Sequence, residues 1–167
     1  MGGKIGVKSW IGKGSLFWVE LNLDFPPKAE NAAPRSQMNR LVNVPNKKIL
    51  IGEDNLVNQI VTREYLKKIG LNADIASDGE EVVELLNKGA YSMVLLDCQM
   101  PKMDGYAASR LIRQSSDPKI ANIPIIALTA NALKEDRDKC INAGMDDYLS
   151  KPFSVGNLRD VIKKWLQ

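Results

Sequence analysis

The sequence predicts an α/β protein: a doubly wound (βα)5 domain with a five-stranded parallel sheet over residues 47–167, preceded by an N-terminal β-hairpin. Three observations carry this. Strand-like and helix-like segments alternate from Lys47 onward, the order that builds a parallel sheet with helices on its faces. The strand candidates are apolar at nearly every position, as in Ile49-Leu50-Ile51 and Val94-Leu95-Leu96, which suits strands covered on both sides. A segment of about 120 residues is also long enough to bury roughly two-thirds of its unfolded surface and to be stable by itself.

The first strand is "KKILIG" (47–52). "LVNQIVTREYLKKIG" (56–70) places Val57, Ile60, Val61 and Ile69 at helical spacing and stops at a glycine suited to a helix end. "NADIAS" (72–77) is a short strand. "DGEEVVELLNKG" (78–89) is a helix whose leading acids suit the positive end of its dipole and whose Lys-Gly close suits a C-cap. "YSMVLLD" (91–97) gives the third strand and "GYAASRLIRQ" (105–114) the third helix, followed by the strand "IPIIALTA" (123–130) and the helix "NALKEDRDKCINAG" (131–144). The fifth pair is "DDYLSK" (146–151) with "SVGNLRDVIKKWLQ" (154–167), in which Val155, Leu158, Ile162 and Trp165 make one stripe.

Residues 1–25 follow another pattern. "KIGVKS" and "SLFWVELNL" flank "WIGKG", and the second alternates Phe17, Val19, Leu21 and Leu23 with Trp18, Glu20 and Asn22, the period of a half-buried strand. A lone hairpin is marginal in water, so this one needs a partner surface. Residues 26–46, rich in Pro, Ala and Asn without periodicity, read as a linker.

Composition bounds the function. Hydrophobic content of 44% and charged content of 26% are those of an ordinary globular protein. No apolar run approaches the roughly 20 residues of a membrane helix, and the N-terminus lacks the apolar core of a secretion signal. Cys98 and Cys140 sit inside regular elements, with no disulfide or metal-site spacing, so a cytoplasmic, reducing setting is expected. Residues 1–46 carry six basic and three acidic side chains, and residues 47–167 carry seventeen of each. The neutral larger part argues against nucleic acid as a partner. There is no histidine, which excludes His-based catalysis, His metal sites and a phosphohistidine within this chain.

Ligands of doubly wound sheets bind beyond the carboxyl ends of the strands, where the strand order reverses. Four of the five strands deliver polar groups there: Glu53-Asp54 after the first, Asp97 at the end of the third, Thr129 at the end of the fourth and Lys151 after the fifth. Three carboxylates cannot share a small site fully ionised without a cation, because like charges raise one another's pKa. Mg²⁺, a hard ion held by one or two carboxylates plus a phosphate, satisfies them. The lysine is a point charge for a phosphoryl oxygen and the threonine a hydroxyl donor. The set forms an electrostatic cradle for phosphoryl transfer, with Asp97 as nucleophile forming an aspartyl phosphate.

These residues carry a family resemblance. "IGEDN" (51–55), "LLDCQMPKMDG" (95–105), "ALTA" (127–130) and "YLSKPF" (148–153) make residues 47–167 resemble, along their whole length, the receiver domain of two-component response regulators. The resemblance implies a flavodoxin-like fold with Asp97 as phosphoacceptor and Glu53 and Asp54 positioning the metal. Asp54 is then the direct ligand, and the Gln99 carbonyl completes the protein's share. Thr129 and Lys151 bind phosphoryl oxygens, and Tyr148 occupies an aromatic switch position. Glu53 departs mildly from a pair that is often Asp-Asp. "MGGKIGVKSWIGKGSLFWVEL" resembles the last strands of a histidine kinase ATP-binding domain. Tail, linker and receiver in that order resemble the C-terminal part of a hybrid sensor kinase. The upstream Asn and Gly boxes are missing, so no ATP binding or kinase activity is expected of this chain. Donor and recipient of the phosphoryl group are then a histidine kinase phosphodonor domain and a histidine phosphotransfer protein, both outside the chain.

Other readings are weaker. A scaffold that binds without phosphorylation would not need the full acid, Thr and Lys set. Aspartyl-nucleophile phosphatases place a second acid two residues after the first, where this sequence has Gln99. "GKGS" (12–15) fails the P-loop spacing. Cys98, next to the nucleophile, is expected on the other side of its strand as a packing residue. The last strand and helices offer a face for a homodimer.

Overall fold

Continuous apolar strands become the centre of the larger of two units into which the chain divides, residues 1–37 and 38–167. The structure, a computed structural model, describes residues 3–12, 14–21, 47–130 and 134–166. The proposed linker (26–46), with Asn22 and Leu23 of the hairpin pattern, lies outside the described residues.

In the smaller unit, β1 (Gly3–Trp10) pairs antiparallel with β2 (Gly14–Leu21). Ile5 is opposite Val19 and Val7 opposite Phe17, so strand alternation puts these four on one face. Lys4 opposite Glu20 and Gly6 opposite Trp18 take the other. The four apolar side chains are exposed, Ile5 at 83% and Phe17 at 77%. A two-stranded ribbon with an exposed apolar face is marginally stable in water by itself.

The larger unit runs β3 (Lys48–Gly52), α1 (Leu56–Ile69), β4 (Asn72–Ala76), α2 (Gly79–Lys88), β5 (Met93–Asp97) and α3 (Gly105–Arg113). It continues with α4 (Pro118–Ala121), β6 (Ile125–Thr129), α5 (Lys134–Asn142), β7 (Asp147–Ser150) and α6 (Val155–Trp165). The five strands are all parallel, in the order β4-β3-β5-β6-β7. The chain therefore winds one way from β3 to β4 and the other way from β5 onward, which creates a switch point between β3 and β5.

Alternate residues of each strand feed two cores. Leu50, Val94, Leu96, Ile125 and Ala127 pack with Val82 and Leu86 of α2 and Ala108 and Ile112 of α3. Ile49, Ile51, Leu95, Ile126 and Leu128 pack with Leu66 and Ile69 of α1 and Leu158 and Ile162 of α6. Each fully buried aliphatic side chain contributes about 1.5–3 kcal/mol. Helix starts are set by side-chain caps: Asn55 accepts from Val57 N, Asp78 from Glu81 N and Asp104 from Ala107 N, while Ser154 and Asn157 form a capping box. Such caps stabilise by about 1 kcal/mol each. Gly70 ends α1 at φ 91°, a left-handed position that glycine adopts without steric cost.

Two features depart from the expectation. Of the expected stripe only Ile69 is buried; Val57, Ile60 and Val61 face solvent, and α1 buries Gln59, Thr62 and Leu66 in their place. The short helix α4 was not anticipated, although Asp117 caps it and Pro118 opens it, a recognised helix start. Among the described residues no helix is long and apolar enough to cross a membrane.

Acid should destabilise this unit. Lys48 and the Tyr91 hydroxyl hold Asp74 below the ordinary carboxylate range. Lys102 and the Glu81 N–H do the same for Asp78. Burial pushes Asp147 up, but Lys164 and the Trp165 indole N–H outweigh it and bring it below its ordinary value. Each folded pKa lies under the unfolded one of about 3.9, so the stabilisation is complete above that pH and is lost as pH falls through the lower folded values. The melting temperature, followed by circular dichroism, should hold from about pH 7 to 5 and fall below about pH 4. An unchanged value at about pH 3 would show that these carboxylates are not held by the native structure.

Candidate active site

The site forms where β3, β5, β6 and β7 end. Glu53 follows β3, and its N–H continues the ladder to the Ala76 carbonyl at 3.0 Å. Its side chain is fully buried: Oε2 accepts from Lys151 Nζ at 2.5 Å and Oε1 from Asn58 Nδ2 at 2.9 Å. Asp54, the next residue, is exposed. Asp97 closes β5 and is 9% exposed; its Oδ2 accepts from Lys151 Nζ at 2.7 Å and its Oδ1 from the Gln99 N–H at 3.1 Å. Lys151 is placed by its own N–H, which donates to the Thr129 carbonyl at 2.7 Å beyond the last β7 residue.

Gly105 fixes the turn that returns the chain beneath Asp97. A Cβ there would lie 2.1 Å from the Asp97 carbonyl oxygen, so any side chain would displace the strand end that carries the acid. The same loop is tied to α2, because the Met103 carbonyl accepts from Gly79 N and Lys102 Nζ donates to the buried Asp78 at 2.5 Å.

The Lys151 ammonium belongs to both acids. Burial alone would lower its pKa, but the hydrogen bonds to Asp97 and Glu53 outweigh that and hold it above the ordinary lysine value. One carboxylate oxygen from each of Glu53, Asp54 and Asp97 lies within 4.8 Å of the others. An all-oxygen, carboxylate set of this kind is what hard divalent cations such as Mg²⁺ take.

Glu53, Asp54, Asp97, Gln99, Thr129 and Lys151 all line one cavity of about 420 Å³. Every residue expected to handle metal or phosphate is therefore brought together. Tyr148 is not among the lining residues. It lies on β7 opposite Ala127, half-buried against the first core, with the Arg137 guanidinium 5.9 Å from its ring centre. Cys98 packs in that core with its Sγ 3.8 Å from Cys140 Sγ, and burial pushes its thiol up to about 12. A thiol so shifted is a poor nucleophile at neutral pH, in keeping with a packing role.

Sequence reasoning missed Asn55, Asn58, Tyr106 and Asp136, which also line the cavity. The available signal was the run Asn55-x-x-Asn58-Gln59 directly after the acidic pair, three polar residues in one helical turn.

The response regulator receiver domain family matches residues 49–163, most of the chain, and the chain belongs to that family. Its relatives include hybrid signalling kinases. It is 41% identical over 165 residues to the aerobic respiration control sensor protein ArcB of Escherichia coli K12, an alignment covering 99% of this chain and 21% of ArcB. It is 42% identical over 123 residues to the hybrid signal transduction protein dokA of Dictyostelium discoideum, covering 74% of this chain and 7% of dokA. The chain thus spans about a fifth or less of the length of these relatives. Among solved structures, the receiver domain of the sensor histidine kinase PA1611 from Pseudomonas aeruginosa PAO1, with a magnesium ion in its active site cleft, superposes with a TM-score of 0.67 at 42% identity. It covers 72% of this chain and 97% of that one. The receiver domain of Saccharomyces cerevisiae Ssk1, co-crystallised with the histidine phosphotransfer protein Ypd1, gives 0.66 at 31% identity, covering 71% and 88%.

Proposed function

We infer that this chain is a Mg²⁺-dependent phosphoacceptor in a phosphorelay, phosphorylated on Asp97 from a phosphohistidine on another protein or domain. The observation that carries this is the convergence of Asp97, Lys151, Glu53 and Asp54 at one strand-end cavity. Mg²⁺, when bound by Asp54, Asp97 and the Gln99 carbonyl with Glu53 behind them, neutralises charge on the incoming phosphoryl group. The rest falls to the chain's own atoms. An Asp97 carboxylate oxygen attacks phosphorus; its O–P bond forms as the donor's N–P bond breaks, and the electron pair stays with the donor imidazole. Lys151 Nζ turns from the carboxylates to a phosphoryl oxygen, and the Thr129 hydroxyl donates to another. Tyr148, on the strand next to Thr129, follows as the switch residue. The output is a shift between two conformations, set by how differently phosphate interacts with each.

The donor and recipient we assign are a histidine kinase phosphodonor domain and a histidine phosphotransfer protein. Leu56, Val57, Ile60 and Val61 expose an apolar face on α1, Leu56 at 72%. Beside it a groove of about 410 Å³ runs past Tyr65, Pro152 and Phe153 and shares Asn58 and Lys151 with the acidic cavity. An exposed apolar patch at the mouth of a reactive site suits a helical partner that presents its phosphohistidine there. This also accounts for the α1 stripe that avoids the core.

The test is labelling of the whole chain with acetyl phosphate. Mass spectrometry should show one added phosphoryl group with Mg²⁺ and none with a chelator. Absence of label in both would favour a scaffold that binds without phosphorylation.

We assign the hairpin to the end of a histidine kinase ATP-binding domain and the chain to a cytoplasmic part of a hybrid sensor kinase. The alignment with ArcB across nearly the full chain supports this, as does the bare face of Ile5, Val7, Phe17 and Val19. On this reading the hairpin contributes nothing to the receiver. Deleting residues 1–40 should leave the main melting transition within about 2 °C, and a larger loss would assign the hairpin to the receiver instead.

A further inference from the structure

We propose that Asn58 is a positioning residue that keeps the Glu53 carboxylate in place while Lys151 changes partner; the proposal rests on the phosphoacceptor reading above. Glu53 is buried, and its two oxygens are divided between two side chains. Oε2 takes the Lys151 ammonium at 2.5 Å and Oε1 takes the Asn58 amide at 2.9 Å, with the Asn55 N–H a distant third at 3.4 Å. When Lys151 turns to a phosphoryl oxygen, Glu53 loses its charged partner. A buried carboxylate without a partner is strongly unfavourable, and the acid would swing away.

Asn58 is built to stay. It stands in the first turn of α1, where the Asn55 side chain accepts from Val57 N and Asn58 N and the Asn55 carbonyl accepts from Gln59 N. The next residue, Gln59, donates Nε2 to the Glu53 carbonyl at 2.7 Å. One helical turn thus grips both the backbone and the side chain of Glu53, independently of Lys151. The amide is also neutral. It directs an acid without adding a positive charge that would compete with a divalent cation for the same oxygens, as the Lys151 ammonium does. Asn58 therefore acts through Glu53 on the metal and touches no reacting atom itself.

Outer partners of this kind typically alter metal affinity by 10–100-fold. The experiment titrates the whole chain with MgCl2, followed by the amide NMR shifts of Asp54 and Gln99, and measures acetyl phosphate labelling against Mg²⁺ concentration. In Asn58→Ala the Mg²⁺ dissociation constant and the half-saturating Mg²⁺ for labelling should both rise about 10-fold. The labelling rate at saturating Mg²⁺ should stay near that of the wild type, while the Mg²⁺-free melting temperature should fall modestly because the buried Glu53 Oε1 loses its donor. Alanine suits the half-buried first turn of a helix, so the fold should survive. Asn58→Gln, which keeps the amide donor, should recover part of the affinity. Wild-type Mg²⁺ affinity in Asn58→Ala overturns the assignment, and so does an Asn58→Gln variant that recovers none of the affinity, which would make Asn58 structural only. If the wild type itself shows no Mg²⁺-dependent shift, the phosphoacceptor reading fails and this proposal with it.

Discussion

Asp97→Asn should take up no phosphoryl group from acetyl phosphate or from a phosphohistidine donor, at any Mg²⁺ concentration, while the protein stays folded. The two halves of this expectation have separate causes. The amide of asparagine is neutral and has no anionic oxygen to attack phosphorus, so the chemical step is lost entirely rather than slowed. Stability behaves differently because Asp97 is one of three carboxylates converging within 4.8 Å with one ammonium between two of them. Removing one negative charge relieves like-charge repulsion, and the asparagine carbonyl can still accept from Lys151 Nζ, so the Mg²⁺-free melting temperature should be unchanged or slightly raised. Mg²⁺ affinity should fall, since a charged ligand has become a neutral one. Mass spectrometry with peptide mapping decides the first half. Residual label on Asp54 or Glu53 in the variant would mean that the acceptor has been misassigned within the cluster.

The strand ends were legible because each is a junction between two strong signals. An unbroken apolar run such as Met93–Leu96 reports burial on both faces, and the charged residue that stops it marks the sheet edge. Lys151 and Thr129 were readable in the same way, since the parallel ladder carries both to one edge. The inward face of α1 was not legible. Its apolar residues fall on two sides of the helix, and the buried side includes Gln59 and Thr62. Gln59 lies inward because its amide closes on the Glu53 carbonyl, a tertiary contact that hydrophobic periodicity does not register. Asn58 was missed for a related reason: as a sequence feature it is a polar residue on a helix surface, and only the geometry aims it at Glu53. The four-residue helix α4 is too short to show a period, and its only signal is the Asp117-Pro118 pair.

Lys151→Ala should destabilise the Mg²⁺-free protein by roughly 2–4 kcal/mol and make its melting temperature depend more steeply on Mg²⁺ than that of the wild type. Lys151 Nζ is the shared counter-charge of Glu53, whose side chain is 1% exposed, and Asp97, whose side chain is 13% exposed. Removing one partner of a buried ion pair typically costs about 3–5 kcal/mol, and the partial exposure of Asp97 and Lys151 reduces that figure. The same deletion removes a positive charge from the place where a divalent ion must sit. Mg²⁺ should therefore bind the variant at least as tightly, and because it binds only the folded state it should restore much of the lost stability. Phosphorylation meets the opposite fate. With no ammonium to grip a phosphoryl oxygen, phosphate loses its preferential contact with the activated conformation, so labelling on Asp97 should no longer shift the Tyr148 environment in NMR spectra. Loss of apo stability, retained Mg²⁺ binding and lost coupling form a pattern that no simple packing defect at residue 151 reproduces. A variant as stable as the wild type without Mg²⁺, or one that binds Mg²⁺ more weakly, would show that Lys151 does not serve as the cluster's internal cation.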